Sequence, residues 1–361
     1  MVLAVMMLVA CTSSAAPVAR VSATAGPTTN PSAASGPTAV PSISPSSSPL
    51  PVASPPELGS SLSCRLPVTW AVQSGTTYAA KAGFVSFPGA TLLEDASAPA
   101  GSVFFDRAYS RWLPVWRDNV SPDGKHYAYS EGNPYQSAVG KLHVVDVATG
   151  VDTVIYSGAP IYWVVDFAAE GIYLTGAVPE GRPHSLWLMD PAGGPARLIS
   201  NTIAAPAVGG GAAWGVDFNA ADPSPAPGGL EGPVNRVLRY DLSSGTPTPW
   251  FYRPGADLYV AGSDAAGRLF VRASISPSPT DPAGRQTVEL WLVASATSAT
   301  RLVAGSIPST PTGFAANDAH GAWFEASDQS SGTIWLFAGG SLRPVATLNV
   351  GNLEVAGGCI P

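Results

Sequence analysis

The chain has 361 residues, among them 36 Pro, 38 Gly and 10 Trp, and only 12% are charged. Such a share of helix breakers excludes a helical bundle or coiled coil, and so many aromatic residues need a core, which excludes wholesale disorder. A net charge of −7 gives no electrostatic footprint for nucleic acid.

Met1 to Ala10 form an unbroken apolar run, too short to span a ~30 Å hydrocarbon core as a helix but suited to the apolar region of a secretory signal. Leu8-Val9-Ala10-Cys11 resembles the bacterial lipobox, in which small residues precede the Cys that receives the lipid. The resemblance implies lipidation of Cys11, an extracytoplasmic location and membrane contact through the lipid alone. No Lys or Arg precedes the run, so the true start is expected further upstream. We therefore expect residues 1–11 to be a lipoprotein signal peptide ending in the lipobox Cys.

Residues 12–60 hold ten Pro and twelve Ser, no aromatic residue, and only Arg20 and Glu57 as charges. That composition cannot bury enough apolar area to offset its ordering entropy, and it predicts a disordered tether. Residues 61–361 are expected to form one domain.

In that domain no helical period lasts twelve residues, which points to an all-β class. One strand element recurs six times: Gly83–Pro88, Lys141–Asp146, Ser185–Asp190, Arg236–Asp241, Glu289–Val293 and Thr333–Phe337. A turn Gly followed by an aromatic precedes five of them, at Gly124…Tyr127, Gly171…Tyr173, Gly211…Trp214, Gly267…Phe270 and Gly321…Trp323. Four antiparallel strands per ~50-residue unit, repeated six times, predict a six-bladed β-propeller of four-stranded blades. Ser121-Pro122-Asp123-Gly124-Lys125 with Tyr127 resembles the WD40-like repeat of TolB-type six-bladed propellers. The resemblance implies a turn between the first two strands of a blade, and a role in envelope protein complexes.

Cys64 and Cys359 remain beyond Cys11, an even pair that predicts a disulfide in an exported chain. Asn352–Gly357 should supply the inner strand of the first blade, against Pro67–Trp70, so that N- and C-terminal strands close the ring.

Longer connections fall between second and third strands and should emerge together on one face, a candidate binding face. They carry Tyr135, Gln136, Glu180, Arg182, Glu231, Asn235, Asp281 and Arg285, with His184 just beyond. A protein, peptide or cell-wall glycan is the expected partner there. Trp116 and Trp163 are placed at the central channel, where they could stack a sugar or peptide. Asp166, Asp217 and Glu325 could converge on the channel as acid–base carboxylates. No nucleophile elbow, phosphate loop or metal-spaced Cys/His set occurs, and His126, His143, His184 and His320 are scattered. No catalytic residue, metal or cofactor is assigned, and a monomer is expected. The sequence favours a binding or scaffolding module, with a propeller hydrolase or lyase as the alternative.

Overall fold

The computed structural model describes residues 62–74, 77–137, 139–176, 184–217, 234–276, 286–307, 309–311 and 313–361. The Cys11 lipobox, the tether, and Glu180, Arg182, Glu231, Asp281 and Arg285 lie outside the described residues.

Alternation of apolar and polar side chains in short runs dictates strands, and turn residues cut them. The strands are β1 (Arg65–Ser74), β2 (Thr77–Ser86), β3 (Thr91–Glu94), β4 (Phe104–Asp106), β5 (Arg111–Leu113), β6 (His126–Glu131), β7 (Gly140–Asp146) and β8 (Asp152–Gly158). Then come β9 (Tyr162–Ala168), β10 (Gly171–Gly176), β11 (Leu186–Met189), β12 (Arg197–Ser200), β13 (Ala204–Gly209), β14 (Ala212–Asp217), β15 (Arg236–Tyr240) and β16 (Pro247–Tyr252). The last blades use β17 (Asp257–Ser263), β18 (Leu269–Ile275), β19 (Thr287–Ser295), β20 (Ser298–Ser306), β21 (Gly313–Asp318), β22 (Gly321–Ser327), β23 (Gly332–Ala338) and β24 (Ser341–Leu348), and β25 (Gly351–Val355) ends the series.

Consecutive strands pair antiparallel into blades three to six: β9–β12, β13–β16, β17–β20 and β21–β24. The first blade runs β25-β1-β2-β3, so the C-terminal strand is its innermost. Val68 faces Val355 and Thr69 faces Glu354. The second blade departs from the pattern. Only β6-β7-β8 form its sheet, and a 3-10 turn over Arg117–Asn119 with a single bridge from Val120 to Tyr127 replaces its inner strand. The chain is a six-bladed β-propeller. All six repeats of the sequence element prove to be third strands: β2, β7, β11, β15, β19 and β23.

The core sits between blades. Trp214, Val216, Leu258 and Val271 pack blade four on blade five, and Phe270, Leu290, Phe324 and Phe337 pack blade five on blade six. An inserted hairpin, β4–β5, fills the junction of blades one and two. There Phe84, Phe105 and Trp112 form a mutually tilted aromatic trio with centroids 5.1–5.7 Å apart.

The ring is closed covalently as expected, by a Cys64–Cys359 disulfide with Cα atoms 5.8 Å apart. Around it, Arg65 and Ile360 exchange backbone hydrogen bonds, and Ala356 donates to Pro67. Asp318 accepts the Cys359 N–H and the Trp323 indole N–H, both at 2.6 Å, and so fixes the tail to blade six. Among the described residues no helix is long and apolar enough to cross a membrane.

Candidate functional site

The two faces of the ring differ, and the inner strands orient them. Each inner strand starts where the connections between second and third strands emerge. Ile161, just ahead of β9, packs on Gly132 and Gly140. Leu258 of β17 donates to Val234 at 2.7 Å, and Asn352 of β25 donates to Asp328 at 2.6 Å. We call this the long-loop face. The opposite face carries the tight turns between first and second strands.

Two aromatic side chains near the starts of inner strands stand exposed on the long-loop side, Trp163 (37%) and Tyr259 (50%), and Trp116 (60%) is exposed just ahead of the Arg117–Asn119 turn. They come from blades two, three and five. Tyr259 carries only one sequence signal, an aromatic one residue out of phase with the buried Leu258 and Val260 of β17. Tyr135 (70%) and Gln136 lie exposed on the 132–139 loop, and His184 is exposed just before β11. Asn235 is a correction. It is fully buried at the head of β15, where its carbonyl accepts the Arg253 N–H at 3.0 Å, and it belongs to the blade rather than to a displayed loop.

The three carboxylates expected at the channel are not brought together; they meet different fates. Asp217 lies directly across the ladder from Arg236 and forms a two-point ion pair at 2.7 and 2.6 Å. Its charge is spent, and it is withdrawn from the channel set. The cue was present: Asp217 closes one strand and Arg236 opens the next, so a hairpin register makes them opposite. Glu325 packs against Gly313, where a side chain would collide with it, and accepts the Val355 N–H at 3.4 Å. Burial pushes its carboxyl up to about 8, with the Glu354 carboxylate adding to the rise and the Val355 N–H opposing it. It acts on the closing strand.

Asp166 remains. It sits on β9 and lines an open cavity of about 740 Å³ on the tight-turn face. The walls come from the end of β9, the Arg117–Asn119 turn, the β4–β5 hairpin and the Ser121–Lys125 turn. Burial pushes the Asp166 carboxyl up to about 7, with the Asp118 carboxylate adding to the rise and the Arg117 guanidinium opposing it. Arg117 pairs with Asp118 and lies over the Phe314 ring at 5.6 Å, reaching from blade two to the inner strand of blade six. The neighbouring acids are occupied by turns. Asp106 accepts the N–H groups of Ala108 and Tyr109 at 3.2 and 3.1 Å. Asp123 accepts the Ser121 hydroxyl and the Lys125 N–H, bonds that hold its carboxyl down at about 2.

The histidines do not assemble. His143 is a packed strand residue, stacked on Tyr129 at 4.4 Å, with ring nitrogens 2.9 Å from Asp152 and 3.2 Å from Glu131. His320 lies close to both Cys64 and Cys359, but those sulfurs are bonded to each other and offer no thiolate.

No protein-family model matches the sequence, and no curated protein matches it. Solved structures resemble it at low identity. TolB from Acinetobacter baumannii is 14% identical with a TM-score of 0.48, covering 81% of this chain and 67% of that one. A putative TolB from Agrobacterium tumefaciens is 13% identical with a TM-score of 0.42, covering 80% and 90%. An acylaminoacyl peptidase from Pyrococcus horikoshii is 10% identical with a TM-score of 0.42, covering 80% of this chain and 47% of that one. The fold assignment rests on the strand pairing of this chain.

Proposed function

We propose that the protein is a binding or scaffolding module of the cell envelope, held outside the cytoplasmic membrane by lipid on Cys11. It takes a protein, peptide or cell-wall glycan on the long-loop face. The observation supporting this is the set of exposed aromatics Trp116, Trp163 and Tyr259. Rigid aromatic faces left in water lose little entropy on binding and stack on sugars or side chains. A photo-crosslinker at position 163 or 259 should capture the partner, whereas one at Val154, exposed on the outer strand β8, should not. Equal capture from all three positions would refute the placement.

Asp166 favours a second reading, an extracytoplasmic hydrolase or lyase at the channel mouth. A carboxyl titrating near neutrality is suited to general acid–base work. A substrate screen in which Asp166→Asn abolishes turnover would establish that reading over the first.

A further inference from the structure

The cavity around Asp166 is distinct from the aromatic face, and its chemistry is specific. Its size falls within the range of small-molecule sites, about 300–1,000 Å³. It exists because the second blade gives up its inner strand for the Arg117–Asn119 turn and inserts the β4–β5 hairpin. Of the four aspartates lining it, three already have partners. Asp106 and Asp123 each accept two donors of their own turns, and Asp118 is paired with Arg117. Only Asp166 has no side-chain donor or cation bonded to it among the described residues. Phe104, Val120 and Phe167 supply apolar wall beside it.

We propose that this cavity is a second binding site, for a ligand that presents a primary amine to the Asp166 carboxylate, either a lysine side chain of a peptide or an amino sugar. An ammonium supplies the cationic donor that Asp166 lacks beyond the Phe167 N–H, and an alkyl or sugar stem covers the Phe104 and Phe167 walls. The amine must be charged and the carboxylate ionised, so binding tightens as Asp166 gives up its proton, which Asp118 and Glu170 help hold and Arg117 and the Phe167 N–H help release. This site stands whether or not the long-loop face binds anything.

The test is calorimetric titration of the full chain with two probes, acetyl-Gly-Lys-Gly-amide and glucosamine. Their controls are the acetyl-lysine peptide and N-acetylglucosamine, which keep the shape and lose the charge. At least one amine should bind, more than tenfold tighter than its acetylated form; the affinity of the lysine peptide should rise several-fold from pH 6 to pH 8, while that of glucosamine, whose own amine loses its proton over this range, should peak near neutrality. Asp166→Asn should remove that preference without lowering the melting temperature, and Glu94→Gln on the exposed strand β3 should not remove it. Binding of the lysine peptide alone identifies a peptide ligand, and of glucosamine alone an amino sugar. Equal affinity for acetylated and free amines, no binding of either amine, or full binding by Asp166→Asn overturns the proposal. The acetylated controls on the wild-type protein keep the charge requirement testable even where a variant fails to fold.

Discussion

The seam where the two ends of the chain meet, β25 against β1 in blade one with blade six beside them, and the second blade answer opposite demands. At the seam, continuity of the chain is missing, and the protein supplies bonds in excess. The disulfide and the β1–β25 ladder join the two ends, and the Asp318 bond to Cys359 and the donations from Asn352, Leu353 and Val355 tie the closing strand to blade six. In the second blade the chain is continuous on both sides, and an inner strand is dispensable. Its place goes to a short turn whose Arg117 and Asp118 line a cavity. A ring of blades, each packed only on its neighbours, tolerates a thinned member but not an open end.

Removing the disulfide tests the seam most severely. The bond joins residues 295 apart in sequence, and loop entropy puts its contribution at up to about 5–6 kcal/mol. Cys64→Ser with Cys359→Ser should lower the denaturant midpoint strongly while the wild-type protein, mapped by mass under non-reducing conditions, shows the linked peptide. A change below about 1 kcal/mol would mean that the noncovalent contacts alone close the ring.

Trp323 is fully buried at the same seam, its ring 6.1 Å from Phe87 and its N–H on Asp318. Trp323→Ala should cost about 3–5 kcal/mol in chemical denaturation. An equal loss from an outer-strand residue such as Leu198, which is 42% exposed, would erase the distinction.

Glu325 adds a pH dependence to the seam. Its folded pKa, near 8, exceeds the ordinary 4.5, so the folded state holds the proton more tightly than the unfolded chain. The contribution is complete below about pH 4.5 and is lost as pH rises through 8. Glu325→Gln should flatten that decline and raise stability at pH 8–9 by about 1–3 kcal/mol. A wild-type curve that does not fall over this range would contradict the burial of an uncompensated acid.

Gly124 brings the smallest effect and probes the second blade. It has φ +72°, and a Cβ there would lie 2.7 Å from Asp106 Oδ1 and Ala108 Cβ. Gly150 shares the φ of +72° but has open space around it. Gly124→Ala should cost about 1–2 kcal/mol, and Gly150→Ala about half that, the difference measuring the contact with the hairpin. Equal costs would show that only backbone strain matters.

Much of this fold was legible in the chain itself. The recurring third strand, the Gly-aromatic entry to the second strand and the closing pair of termini are local patterns, because strand alternation and turn chemistry act over a few residues. That Trp163 and Asp166 share one strand, β9, was also within reach, since its run of aromatic and branched residues reads as a strand. What could not be read was the state of each polar group. Asp166 and Asp217 look alike in sequence, yet one is paired by Arg236 across a ladder and the other has only the Phe167 N–H and no side-chain donor. The buried Asn235, the Glu325 crevice and the hairpin that builds the cavity wall depend on neighbours up to a hundred or more residues away. Sequence thus determined six blades and their seam, through short-range periodicity. Tertiary structure alone decided which carboxyl stays unpaired and where the ring opens, because pairing and desolvation depend on what arrives from elsewhere in the chain.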